Sequence, residues 1–274
     1  MNDQKRAWRA ISLLAATLAA TFILAFLAGC SSGRPDATAQ RGVAAKLSSP
    51  HLPFGNPSEA GSAPNNQLVL RPQFAASWNA KKRIANWVAW RLVASDIGDT
   101  ERSQFYADPE ISTPTPKDYT GSGYDRGHLC PSKDRSDTPE NNRGVFTMLN
   151  ILPQTAANNR GPWEKAEEFE RSLAQAGREV YIIAGGGGSE SEFKGIDVPE
   201  STWKVIVALE RGKSFPDGQE KAQVYAVIMP NNEDISGRWQ EYQTSVSEIQ
   251  KKTGYHFFKS APVIESIAKA AGRF

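Results

Sequence analysis

Several short stretches of the chain alternate apolar and polar positions, and a period of two predicts strands. Leu68-Val69-Leu70, Ala85 to Val93, Val180 to Ala184, Trp203 to Leu209 and Gln223 to Met229 carry that pattern. Elsewhere the period lengthens to that of a helix. Between Pro162, suited to a first helical position, and Gly177, suited to the residue after the end, Ala166, Phe169, Leu173 and Ala176 make an apolar stripe. A second helix is predicted from Gln240 to Thr253, with Val246 and Ile249 inward and Gly254 as its stop. Residues 146 to 154 read as another strand, so the local order there is strand, strand, helix. With many strands, few helices, no repeating βαβ period and no internal repeat, the pattern predicts one α+β domain. Its central antiparallel sheet is flanked by helices. Gly185 to Gly188 follows a strand without the lysine and helix of a phosphate loop, and reads as a loop.

The first residues change the picture of where the chain resides. Lys5, Arg6 and Arg9 precede an apolar run from Ala10 to Ala28 that ends in Leu27-Ala28-Gly29-Cys30. This resembles the lipobox of bacterial lipoprotein signal peptides, which implies cleavage before Cys30, acylation of that cysteine and a membrane anchor. An uncleaved membrane-spanning helix is the alternative, and both put the domain outside the cytoplasm. Ser31 favours outer-membrane sorting over inner-membrane retention. Residues 31 to 66 are rich in Ser, Pro, Ala, Gly and Asn, yet His51 to Pro57 already holds Leu52 and Phe54. The expected division is therefore a signal peptide at 1–29, a flexible tether at 30–50 and a domain at 51–274.

Charge is uninformative about partners. The formal net charge is +2, but the leader holds three of the 32 basic groups and one of the 30 acids, so the remainder carries 29 of each. A neutral domain has no global attraction for a polyanion, which must be held by a local patch or a metal. There are two cysteines, so an acylated Cys30 leaves Cys130 without an intrachain partner and excludes a disulfide.

Imidazole chemistry has three candidates. His256, in the apolar run Tyr255 to Phe258, and His51, at the tether, read as structural. His128 differs, because Tyr124-Asp125-Arg126-Gly127-His128 puts a guanidinium and an imidazole two apart, on one face of a strand, where both can address one phosphodiester. Downstream come Asn150-Ile151-Leu152-Pro153-Gln154, then Asn159-Arg160-Gly161-Pro162-Trp163, then Glu167. Together these motifs resemble the DNA/RNA non-specific endonuclease family, over nearly the whole domain.

That resemblance implies a ββα-metal finger and hydrolysis of DNA and RNA, single- or double-stranded, leaving 5′-phosphates. It implies His128 as general base, Asn159 as the direct metal ligand and Glu167 as a carboxylate reaching the metal through water. Arg126 and Arg102 would hold the phosphate, Asn150 would support the site and Asp125 would orient neighbouring loops, with Asn158 and Glu168 the rejected registers. The implied cofactor is Mg²⁺, or Mn²⁺ in its place, which prefers oxygen ligands and keeps its waters. An unperturbed imidazole as base predicts activity falling as pH drops through about 6 to 7. The rival classes are a silent surface lipoprotein, which a broken motif would mark, and a phosphodiesterase on small diesters. Neither an oligomer contact nor a site for a protein inhibitor is read from the pattern.

Overall fold

The computed structural model describes residues 49 to 271. The predicted signal peptide, the lipidated Cys30 and the tether as far as residue 48 lie outside the described residues. Among those described, no helix is long and apolar enough to cross a membrane.

Ten strands form: β1 (Gln67–Leu70), β2 (Ala75–Asn79), β3 (Ile84–Leu92), β4 (Asp125–His128), β5 (Ile151–Gln154), β6 (Val180–Gly187), β7 (Ser191–Phe193), β8 (Ile196–Val198), β9 (Ser201–Ala208) and β10 (Gln223–Pro230). Five α-helical segments accompany them: α1 (Pro139–Val145), α2 (Ala156–Asn159), α3 (Pro162–Gln175), α4 (Val246–Thr253) and α5 (Pro262–Ala271). The main sheet runs β1-β2-β3-β6-β9-β10, every pair antiparallel. The predicted α+β architecture is the observed one.

Alternation along the central strands sends side chains to two separate cores. Val88, Trp90 and Leu92 of β3, with Ile182 of β6 and Ile206 of β9, pack on Trp163 and Ala166 of α3 and on Ile151 and Leu152 of β5. Trp87 and Ala89, with Ile183, Trp203 and Val205, face Val246 and Ile249 of α4 and Phe54 and Phe257. The chain before β1 is held by His51, which lies between the Pro72 carbonyl (Nε2, 2.9 Å) and the Arg91 amide (Nδ1, 3.2 Å). His51 is thus a buried imidazole bridging two backbone groups.

Four predicted elements need correction. Residues 146 to 154 are not one strand: the Thr147 hydroxyl accepts from Leu149 N and starts a 3-10 turn, so β5 begins only at Ile151. The helix expected from Gln240 begins at Val246, capped by the Ser245 hydroxyl on Glu248 N, while Trp239–Tyr242 is a separate 3-10 turn. Three residues of the glycine run belong to β6 rather than to a loop. A Cβ at Gly185 would stand 2.5 Å from the Asn86 carbonyl oxygen and 2.7 Å from the Trp203 ring, so close approach requires glycine there. His256 lies in an irregular segment just before a turn, not in a strand, and is exposed, its neighbours Phe257 and Phe258 filling the core instead.

The predicted stripe of α3 is also rotated. Ala176 is exposed, and the buried face carries Trp163, Ala166, Glu170, Arg171 and Ala174. Its two charges have partners. Lys204, fully buried on β9 among positions that otherwise face the core, donates to Glu170 Oε2 at 2.9 Å and lies 4.5 Å from the Trp163 ring and 5.6 Å from that of Trp90. Arg171 pairs at 3.0 Å with the buried Asp134, which also accepts from Trp90 Nε1 at 2.9 Å. Removing one member of such a pair strands the other without solvent. Lys204→Met should cost about 3 to 5 kcal/mol in urea unfolding, most of it restored in the Lys204→Met/Glu170→Leu double variant. A single variant as stable as the parent chain contradicts this account of how α3 is fixed.

Candidate active site

Strands β4 and β5 pair antiparallel, with His128 opposite Ile151 and Gly127 opposite Leu152. No side chain fits at Gly127, where a Cβ would fall 1.7 Å from Gln154 Oε1. The glycine therefore lets the strand lie flat between the two residues that face outward, Arg126 and His128. After β5, Thr155 caps α2 by accepting from Asn158 N, and Glu233 takes up the Ala156 and Ala157 amides at 3.2 and 3.3 Å. Gly161, whose Cβ would meet the Ala157 carbonyl oxygen at 2.3 Å, allows the turn into α3.

These elements enclose a cleft of about 150 Å³ lined by Arg102, Arg126, His128, Asn159, Arg160, Glu164 and Glu167, with Pro131, Ser132 and Lys133 at one side. Five of the residues singled out in the sequence thus meet: the two arginines, His128, Asn159 and Glu167. The rejected registers point elsewhere. Asn158 is buried and donates to Thr202 Oγ1 at 3.0 Å, and exposed Glu168 pairs with Lys165. Asn150 does not line the cleft. It is fully buried and clamps the backbone just past His128, accepting from Cys130 N at 2.9 Å and donating to Cys130 O at 2.8 Å.

Two phenylalanines that the sequence analysis does not single out, Phe105 and Phe146, hold the site. The His128 ring lies 5.2 Å from Phe105 and 4.8 Å, edge-on, from Phe146. Each phenylalanine also carries an arginine, Arg126 over Phe105 at 5.4 Å and Arg102 over Phe146 at 5.2 Å. Arg126 is tethered further by two bonds to the Pro116 carbonyl, 3.1 Å from Nε and 2.7 Å from a terminal nitrogen. Burial, aided by the Arg102 charge, lowers the His128 pKa to about 3, and its Nε2 is buried without a partner among the described residues. The ring is therefore neutral at any ordinary pH. This corrects the expectation of an imidazole titrating near 6 to 7.

The carboxylate behind the cleft, Asp125, and the one lining it, Glu167, behave differently. Against the raising effect of burial, hydrogen bonds from Arg160 and Asn159 hold the Asp125 carboxyl below its ordinary range. Burial pushes Glu167 up to about 7, only partly offset by the Lys204 and Arg171 cations. Arg171, one helical turn beyond Glu167 and 3.9 Å from it, does not line the cleft but sets a cation beside that carboxylate, a contact the sequence reading missed. Its spacing of four on α3 was the available signal.

The donor chemistry suits a hydrated divalent cation. Among the described residues no three His, Cys, Asp or Glu side chains gather to enclose an ion. What the cleft offers is one amide oxygen, that of Asn159, and two carboxylates, Glu164 and Glu167. Asp125 accepts from Asn159 Nδ2 at 2.9 Å, which fixes the amide and keeps its oxygen as the free donor atom, and Glu167 stands across the cleft. Such a pair fits Mg²⁺, which gives up its waters reluctantly.

Comparison with known proteins bears on this geometry. Residues 55–263 match the sequence model of the DNA/RNA non-specific endonuclease family. The chain is 39% identical over 250 residues to a nuclease of Nostoc sp., covering 87% of this chain and 90% of that one. It is 30% identical over 206 residues to the human mitochondrial nuclease EXOG, covering 67% of this chain and 55% of that one. A crystal structure of an EndoG/EndoGI complex superposes with a TM-score of 0.62 at 21% identity, covering 78% of this chain and 93% of that chain, which is a likeness of fold.

Burial predicts a silent imidazole. The His128 ring protons should show no titration between about pH 8 and 5 in NMR spectra, because protonation is deferred to about 3. In the unfolded chain the ring binds its proton near 6.5, so this group adds no penalty above that pH and costs stability as pH falls below it. Phe146→Ala, which opens one side of the ring, should raise the pKa toward 6.5. A parent chain titrating near 6.5 contradicts the desolvated site.

Proposed function

The chain belongs to the DNA/RNA non-specific endonuclease family, and we propose that it hydrolyses phosphodiesters with His128 as general base and one hydrated Mg²⁺ held by Asn159 directly and by Glu167 through water. One observation carries this reading. A neutral imidazole, two arginines, an amide oxygen and a carboxylate meet in a single cleft although they come from four separate segments: the loop between β3 and β4, β4 itself, α2 and α3.

His128, already unprotonated, can accept a proton from an attacking water without first losing one. Arg126, held by Pro116 and Phe105, and Arg102, resting on Phe146, present charge whose position is set before substrate arrives. Asp125 keeps the Asn159 oxygen free by engaging its nitrogen. A bound cation would supply charge stabilisation at the phosphorus centre and the leaving oxygen, and Mn²⁺ would serve in place of Mg²⁺. The base of the nucleotide takes no part, so we propose that single- and double-stranded DNA and RNA are all cut, with 5′-phosphates as products.

The leader motif supports an envelope enzyme, processed before Cys30 and anchored by lipid at that residue, at the outer rather than the inner membrane. Buried Cys130, whose thiol is raised by burial, is packing rather than chemistry.

Two experiments test these proposals. Incubation with supercoiled plasmid and with RNA should show cleavage abolished by EDTA and lowered on the order of 10² to 10⁴ by His128→Ala. Near-parental cleavage by that variant, or resistance to chelation, would refute the mechanism. For the anchor, Cys30→Ser should move the nuclease from the membrane to the soluble fraction on cell fractionation, and unchanged membrane association would point to an uncleaved span.

A further inference from the structure

The domain after the leader is formally neutral, so its hold on a polyanion needs a local device beyond the cleft itself. A line of contacts leads away from Arg126. That guanidinium is bonded to the Pro116 carbonyl, which opens the 3-10 turn Pro116–Tyr119, where the next residue, Lys117, is exposed and makes no ion pair among the described residues. The carbonyl of Asp118, in the same turn, accepts from Lys194 Nζ at 3.0 Å. Lys194 sits at the tip of the β7–β8 hairpin, where its carbonyl accepts from Arg83, and Arg83 also lies 3.9 Å from the Asp118 carboxylate.

The strip is aromatic as well as basic. Phe193, immediately before Lys194, stacks on Tyr124 with 5.7 Å between centroids and 18° between planes. Tyr124 in turn directly precedes β4, two residues before Arg126, and both residues are half-buried. Lys194 and Arg126 spend their hydrogen bonds on backbone carbonyls, which leaves their positive charge uncancelled. The one carboxylate within the strip, Asp118, is engaged by Thr115 N at 2.8 Å and faces Arg83. Glu192 on β7 is the exposed acid beside it.

We propose that Arg83, Lys117, Lys194 and the Tyr124–Phe193 pair form a nucleic-acid track that continues the cleft, binding the backbone of the strand beyond the scissile phosphate and stacking one of its bases on Tyr124. This rests on the reading of the cleft as the phosphodiester site, and it says where the rest of the strand lies. Interleaved cations and aromatic faces suit a single strand whose bases are free to stack, and they are indifferent to sequence because every base has a π-face.

Binding can be measured without cleavage. Fluorescence anisotropy of a labelled 20-nucleotide single strand, in EDTA with the full chain, compares the parent with Lys117→Glu/Lys194→Glu. The double variant should bind on the order of tenfold more weakly, and its slope of log affinity against log salt should shrink by about one to one and a half, two phosphate contacts being lost. Lys117→Glu alone removes no contact among the described residues, so it should fold normally and show about half of the change in slope. Tyr124→Leu should weaken binding of a normal strand but not of an abasic strand of equal length. Parental affinity and salt slope in both charge variants overturn the track. Cleavage of supercoiled plasmid by the parent chain with Mg²⁺ is scored separately: its absence refutes the cleft as a hydrolytic site, whatever the binding experiment gives.

Discussion

A charge taken out of water must meet an opposite charge, and that constraint fixes α3 on the sheet. Lys204 stands on the same face of β9 as Ile206 and Ala208, opposite Ala184 of β6 and Val227 of β10, where an apolar side chain would ordinarily pack. Once it is there, Glu170 is its ion-pair partner, and Asp134 with Arg171 close the network beside it. A helix pinned through Glu170 and Arg171 has no freedom to rotate. Glu167, between Trp163 and Arg171 on the same turns, is thereby set at the cleft. An apolar interface of equal volume would hold the helix as strongly without specifying its rotation so narrowly.

The same network explains which parts of the structure were legible from the sequence. Strands β3, β6, β9 and β10 announce themselves by alternation, and α3 by its proline and glycine ends, because those signals are local. The buried face of α3 was misread because a stripe of apolar residues is only the usual way to bury a helix, and here two charged residues take that face. The glycine run looked like a loop for a similar reason. Its need for glycine comes from Asn86 and Trp203, far away in sequence, and nothing next to Gly185 reports them.

At the site the asymmetry is sharper. Arg126 and His128 share a strand face by their spacing, and the family resemblance pointed to Asn159 and Glu167, so their meeting could be anticipated. Phe105 and Phe146 could not, since a phenylalanine bound for a catalytic cleft reads like one bound for a core. Their contribution appears only when the loop from Arg102 onward folds against the strand and each ring meets the imidazole with one face or edge and a guanidinium with another part. Asp125 was legible as a neighbour but not as the group that orients the Asn159 amide, a contact across 34 residues.

Burial acts on both titrating groups of the cleft, and in both it opposes charge. The His128 imidazole is kept from gaining a proton and the Glu167 carboxyl is inclined to keep one, so at these two residues burial resists charge of either sign although arginines line the same cleft. For the histidine this is directly useful, because a base must be unprotonated to work. For the glutamate it means that ionisation is favoured chiefly when a cation is near, since Lys204 and Arg171 offset burial only in part. Ionising that carboxylate and filling the cleft with a cation are then linked events, each lowering the cost of the other. A cleft that was solvated enough to keep Glu167 charged at all times would also wet His128 and let its pKa drift toward 6.5. The dryness that preserves the base is therefore the same property that ties the carboxylate to its ion, and the aromatic pair around His128 is where the fold sets both.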